Sequence, residues 1–248
     1  MDTPPSITVV AITDGYRLDP HAEAIHRTAA CIPRPVTKLL ITDAVDDHDG
    51  LVVQKPRGPL RSRYSQFILH SLADHIETDF CIVVQWDGWA KNPDAWDEGF
   101  LEYDYIGAPW RSMWPLSIPF PSYRRRVGNG GFSLRSRRWL EVGKRAPFNR
   151  DNKPEDLWCC RTHVKAWEEA GCRVAPMEVA RRFAVEYKLA DWGPDFDPEQ
   201  AFGFHGLDRG QFRYLSHPPS ITQQCWNGLK RRISPRRLIR GGRPSEAS

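Results

Sequence analysis

Cys81-Ile82-Val83-Val84-Gln85-Trp86-Asp87-Gly88-Trp89 is the stretch whose reading decides the fold. Its apolar run reads as a buried strand that stops at one acid followed by glycine. A carboxylate at the C-terminal end of a buried strand sits where α/β sheets place their ligands. A lone Asp is often a turn residue or a helix cap, but the apolar strand before Asp87 favours a site. A second stretch, Val127-Gly128-Asn129-Gly130-Gly131-Phe132-Ser133-Leu134-Arg135, carries small residues where packing alone would prefer large ones. It reads as a strand from Val127 to Leu134 whose backbone comes close to a ligand. Together the two stretches imply a cleft at a sheet edge that holds a polar, phosphate-bearing substrate.

Outward from these, strands and helices alternate. Ser6 to Ile12 and Val36 to Ile41 read as strands, with a polar turn at Thr13-Asp14-Gly15-Tyr16 and a helix from His21 to Ala30. Arg61 to Glu77 is the clearest helix, since Tyr64, Phe67, Ile68, Leu72 and Ile76 share a face. A short helix from Asn92 toward Phe100, a strand from Tyr103 to Gly107, a proline-bearing loop from Trp110 to Arg126 and a helix from Ser136 to Lys144 follow. A helix from Glu155 to Ala170, closed by Gly171, and a short strand from Arg173 to Pro176 complete the pattern. This predicts an α/β fold, one Rossmann-like domain with a mainly parallel, mixed sheet and helices on both faces.

The chain has 248 residues, 27% charged and 40% hydrophobic, ordinary values for a globular protein. No apolar run is long enough for a transmembrane helix, and Met1-Asp2-Thr3-Pro4-Pro5 does not read as a signal peptide. A cytoplasmic location is expected. Cys31, Cys81, Cys159, Cys160, Cys172 and Cys225 form no CxxC pair. Cys159 and Cys160 are expected on different faces of a helix, which argues against zinc, and free buried thiols are the reading. The net charge of +4 is uneven. Lys230, Arg231, Arg232, Arg236, Arg237, Arg240 and Arg243 stand against Glu246 alone, so the body is slightly acidic. This tail, residues 226–248, is expected to be flexible, and its interleaved Leu229, Ile233, Leu238 and Ile239 suit peripheral contact with an anionic inner-membrane surface. No basic stripe in the body suggests a nucleic acid partner.

Four polar points fall at loop positions: Asp87, Asn129-Gly130-Gly131, Glu155-Asp156 and His205. A carboxylate with a distant imidazole is a workable hard-cation site that bridges to phosphate oxygens. Glu155 and Asp156 open a helix, where one acid is accounted for by the dipole and the other is available as a general base or sugar ligand. Trp86 and Trp89 flank Asp87 and are expected to line the cleft. The chain lacks GxxxxGK[ST], a GxGxxG after its first strand, and GxSxG, which argues against P-loop kinases, classical dehydrogenases and serine hydrolases.

The strings YSQFIL, VQWDGW, NPDAW, FLEYDYIGAPW, VGNGGFSLRSRRWLE, PEDLWCCR and FGFHG resemble a bacterial domain family of uncharacterised function that is considered glycosyltransferase-like. The resemblance covers most of Ser6 to Gly206, and more distantly the motif order is similar to the GT-A glycosyltransferases. It implies a single GT-A-like domain over residues 1–206, a C-terminal extension over 207–225, and the basic tail beyond. By this resemblance Thr13, Asp14 and Tyr16 contact the nucleotide base. Arg63 and Ser65 meet the nucleotide, Asp87 is the acid kept from a DxD motif, and Asn129 and Gly130 face the sugar. Asp156 with Glu155 is the donor-sugar or base acid, and His205 joins Asp87 as a metal ligand. Gln85 replaces the first acid of DxD, which weakens attraction for the Mn²⁺ or Mg²⁺ that the family uses. Arg63 or Arg124 to Arg126 then become alternatives for stabilising a leaving diphosphate.

The expectation is sugar transfer from a nucleotide-sugar donor to a glycan, a lipid-linked glycan or another hydroxyl acceptor, in polysaccharide biosynthesis. Two alternatives stay open: a non-catalytic nucleotide-sugar or carbohydrate-binding module, and a nucleotidyltransferase.

Overall fold

Strict alternation along the strands sorts the core into two layers around one sheet. The computed structural model describes residues 3–57, 60, 64–111, 124, 126–147, 154–186, 196–208 and 211–212. The strands are β1 (Ile7–Ile12), β2 (Thr37–Ile41), β3 (Val52–Gln54), β4 (Phe80–Val83), β5 (Tyr105–Gly107) and β6 (Ser133–Ser136). They form one six-stranded sheet in the order β3-β2-β1-β4-β6-β5. The first four of these neighbours are parallel, and β6 runs antiparallel to both β4 and β5. Short two-stranded pairs lie beyond: β7 (Ala184–Val185) with β8 (Gly203–Phe204), and β9 (Leu207–Asp208) with β10 (Gln211–Phe212).

The helices are α1 (Leu18–Ala30), α2 (Tyr64–His70), α3 (Arg137–Arg145), α4 (Glu155–Leu157), α5 (Val164–Glu169) and α6 (Met177–Phe183). Ile7, Val9 and Ala11 of β1, Leu40 of β2 and Ile82 of β4 pack with Ala24 and Ile25 of α1 and Ala180 and Phe183 of α6. The intervening Val10, Ile12, Leu39, Ile41, Cys81 and Val83 pack on the other face with Phe67 and Ile68 of α2 and Leu140 of α3. Each buried aliphatic side chain contributes about 1.5–3 kcal/mol. A slip of one residue would send every one of them to the wrong face, so the register is strongly specified. The expected α/β fold, with a mostly parallel sheet and helices on both faces, is what forms.

The departures are local. Val127 to Leu134 is not one strand: Val127 makes a single bridge to Pro109, residues 128–132 are irregular, with Asn129 at φ 58°, and regular pairing starts at Ser133. The helix foreseen from Glu155 to Ala170 is broken into α4, a π turn over Trp158–Thr162, and α5. That wider turn brings the sulfurs of Cys159 and Cys160 to 3.6 Å, so these thiols do not diverge as an α-helix would make them. Both are buried and free. The long helix ends as α2 at His70 and continues as a 3₁₀ turn over Leu72–His75, and Asn92 to Phe100 gives two 3₁₀ turns, Pro93–Ala95 and Glu98–Glu102. Arg173 to Pro176 contributes one bridge, Val174 to Tyr105, where a strand was expected. β3, too short to show periodicity, had no sequence signal. Arg63, the residues 112–123 of the proline-bearing loop and the basic tail lie outside the described residues.

Candidate active site

Strand order reverses between β1 and β4: β2 and β3 extend the sheet to one side of β1, and β4 opens the other. The carboxyl ends of two such diverging parallel strands leave a crevice with no crossover helix above it. A cleft of about 210 Å³ occupies this place, lined by Thr13, Asp14 and Tyr16 after β1, His21 of α1, Leu60, Tyr64 of α2, and Gln85 and Trp86 after β4. The three residues expected to contact a nucleotide base therefore share one cavity. Thr13 Oγ1 donates to the Tyr16 carbonyl and accepts from the Gly15 N–H, and Asp14 Oδ1 accepts from the Tyr16 N–H, which folds the turn tightly over the strand end. Trp86 lines the cleft, whereas Trp89 lies against the Phe204 ring, edge-on at 4.7 Å, as core packing.

Gln85 connects the cleft to a second cluster. Its amide donates to the Tyr64 hydroxyl at 2.9 Å, and its carbonyl oxygen lies 3.2 Å from His205 Nε2. The same nitrogen is 3.6 Å from Asp87 Oδ1, and His205 Nδ1 is 3.6 Å from Glu186 Oε1. Asp87 is held in a tight reversal by two backbone hydrogen bonds between Gln85 and Gly88, and its carbonyl accepts from the Gly206 N–H. Asp87 Oδ1 and His205 Nδ1 are buried and make no hydrogen bond. Asp87 and His205, far apart in sequence, are thus brought together. Among the described residues no three His, Cys, Asp or Glu side chains are gathered as a cage for a metal ion.

The glycine segment explains how this cluster and its neighbour fit. A β-carbon at Gly131 would lie 2.0 Å from His205 Nε2, and one at Gly130 would lie 2.1 Å from Glu155 Oε1. Gly128 leaves room for the Trp110 ring in the same way. The close approach read from the sequence is therefore made to the protein's own side chains. Asn129 does not lie on a sugar-facing strand either. Its Nδ2 donates to Glu186 Oε2 at 2.6 Å, its Oδ1 accepts from the Gly131 N–H, and its left-handed backbone turns the chain between the two clusters.

On the far side of Gly130 the acids have different partners. Glu155 is buried and paired with the equally buried Arg135 at 3.0 Å, with Ser65 Oγ donating to its other oxygen at 3.5 Å. Ser65 therefore serves Glu155 and does not line the cleft. Asp156 accepts from the Gly130 N–H at 3.0 Å and from the Leu157 N–H at 2.6 Å. Burial, with the charge of Glu155 beside it, pushes its pKa up to about 6, against the pull of those N–H groups and of Arg135. A carboxyl poised there exchanges protons near neutral pH, while Glu155 is held in an ion pair.

His21, Glu186 and Arg135 were missed. His21 is buried in the cleft, its Nδ1 2.8 Å from the Arg17 carbonyl, and burial lowers its pKa. It read as an ordinary helix residue. Glu186 and Arg135 did leave signals: an acid directly after the apolar Ala184-Val185, and a charge directly after Leu134 in the β6 stretch Ser133–Ser136.

A family model matches residues 58–205, more than half of the sequence and the part that carries Asp87, the glycine segment, Glu155, Asp156 and His205. The chain belongs to this family. Its description is protein of unknown function (DUF5672). No curated protein matches this DUF5672 chain in sequence. Among solved structures it is similar to a mannosyltransferase from Pyrobaculum calidifontis in complex with GDP-Man and Mn²⁺, at 10% identity and a TM-score of 0.45, over 98% of this chain and 66% of that one. It is also similar to glucosyl-3-phosphoglycerate synthase from Mycobacterium tuberculosis in complex with Mn²⁺, UDP and glucosyl-3-phosphoglycerate, at 15% identity and a TM-score of 0.46, over 69% of this chain and 68% of that one. The chain thus spans just under two thirds of the length of the first. Among the described residues no helix is long and apolar enough to cross a membrane.

Proposed function

We propose that the chain is a glycosyltransferase that moves a sugar from a nucleotide-sugar donor to a hydroxyl of a glycan or lipid-linked acceptor. The observation that carries this is the cleft at the strand-order reversal, which Gln85 links to His205 and to the buried Asp87 carboxylate, whose Oδ1 makes no hydrogen bond. Thr13, Asp14 and Tyr16 receive the nucleoside, the polar turn reading the edges of the base, with Trp86 lining the same cavity. Asp87 and His205, with the Gln85 carbonyl beside them, fit a divalent cation, because an orphaned carboxylate oxygen faces an imidazole nitrogen and the coordination left open suits phosphate oxygens. Such a cation, when bound, neutralises charge on a diphosphate leaving group.

Asp156 is the residue that takes the proton of the acceptor hydroxyl or holds the donor sugar, and Glu155 keeps Arg135 paired beside it. The neutral Gln85, hydrogen-bonded at both ends, supports a second reading, a nucleotide-sugar-binding module without turnover. The deciding experiment incubates the protein with a panel of nucleotide-sugars and acceptor glycans and measures nucleoside diphosphate release. Release from one donor is expected, falling at least about 100-fold in Asp87→Asn. Binding without release in the unmodified chain would give the module. Release of pyrophosphate from a nucleoside triphosphate would give a nucleotidyltransferase.

A further inference from the structure

Arg17 lies against two of the residues that line the cleft, in an arrangement that packing alone does not require. Its guanidinium carbon lies 3.7 Å from the centre of the Trp86 ring and 5.3 Å from that of Tyr16, and its Nε donates to the Tyr16 hydroxyl at 2.9 Å. Both rings line the cavity. The flat face of the guanidinium is thereby engaged, while the in-plane N–H groups of its two terminal nitrogens keep their outward directions.

Arg27, Arg34, Arg135, Arg137 and Arg182 are each paired with a carboxylate. Arg17 has no such partner among the described residues. Its backbone is left-handed, φ 52° and ψ 47°, a conformation disfavoured for a residue with a β-carbon. That turn carries the side chain back over Trp86 from the start of α1. Asp14 and Asp87 place negative charge around the same cavity, and His21 feels both of them together with Arg17. A phosphate chain entering this cleft adds further negative charge and needs a cation with free donors.

Resting on the nucleotide-sugar reading above, we propose that Arg17 grips the diphosphate of the donor, as a preset cation held on the Trp86 face. Binding of a nucleoside diphosphate then has a component that needs no divalent metal. The guanidinium presents paired donors to phosphate oxygens.

The test is calorimetric titration of the full chain with UDP, GDP, ADP and CDP and with the matching nucleosides, in EDTA and in Mn²⁺. The unmodified chain is expected to bind one diphosphate even in EDTA. Arg17→Gln weakens that diphosphate about tenfold or more and leaves its nucleoside within about twofold. Arg17→Lys recovers part of the loss, since charge returns without the planar fork. An equal loss for nucleoside and diphosphate would make Arg17 a structural brace for Trp86 and overturn the proposal, as would no loss at all. Failure of the unmodified chain to bind any nucleotide, with or without Mn²⁺, would instead bring down the transferase reading on which the proposal rests.

Discussion

Two aspartates sit at opposite ends of the strands around β4, equally buried and differently treated. Asp104, just before β5, is fully used: one carboxylate oxygen accepts from Ser136 Oγ at 2.5 Å and the other from the Arg173 N–H at 2.8 Å. Its backbone accepts from Ser136 and donates to Arg173 as well, so one residue ties together β5, the start of α3 and the segment before α6. Asp87, beyond the carboxyl end of β4, has Oδ1 out of solvent with no hydrogen bond and an imidazole nitrogen 3.6 Å away. Buried carboxylates are costly unless satisfied. A satisfied one is a fastener, and an unsatisfied one held in place by surrounding backbone is a candidate site, the role proposed above for Asp87. Glu155 and Asp156 differ in another way: Glu155 is closed into an ion pair with Arg135, whereas Asp156, held by the Gly130 and Leu157 N–H groups, has its pKa raised to about 6 by burial and by the charge of Glu155.

The contrast can be broken most sharply at the closed pair. Arg135→Met strands the Glu155 carboxylate in the interior and is expected to cost about 3–5 kcal/mol in urea unfolding, with the double variant Arg135→Met/Glu155→Leu recovering most of it. Retention of full stability in the single variant would show that the pair is no fastener. Next in size, Asp104→Ala is expected to remove about 1–3 kcal/mol of stability and to leave nucleotide affinity unchanged. Asp87→Asn should do the reverse. If Asp104→Ala abolished nucleotide binding while Asp87→Asn lowered the melting temperature, the division between fastener and site would fail.

The last effect, similar in size to that of Asp104→Ala, is a slope with pH. The folded Asp156 carboxyl titrates near 6 and an unfolded one near 3.9, so the folded state holds the proton more tightly. The stability this contributes is fully present below about pH 4 and is lost as pH rises through about 6, a change on the order of 1–3 kcal/mol. Subtracting the stability profile of Asp156→Asn from that of the unmodified chain isolates the slope from the other acids. If Asp156 takes the acceptor proton, kcat/KM for transfer falls as pH drops below about 6. An identical slope in the variant would move the titrating group elsewhere.

The sequence by itself determined the layers of this protein. Apolar runs such as Ile7–Ile12 and Cys81–Val84 have one stable use, burial on both faces of a sheet between helices, and an acid after such a run is marked by position alone. That reasoning marked Asp87, and the polar turn Thr13-Asp14-Gly15-Tyr16 follows the first such run in the same way. Tertiary structure decided what the polar residues do, because their partners come from distant segments. Nothing local shows that Glu155 meets Arg135, that Gly131 is small to admit His205, or that Arg17 is carried over Trp86. Periodicity reports which face a residue occupies. The identity of the residue across from it is set by how strands and loops converge, and in this chain that convergence made one aspartate a fastener and left the other open.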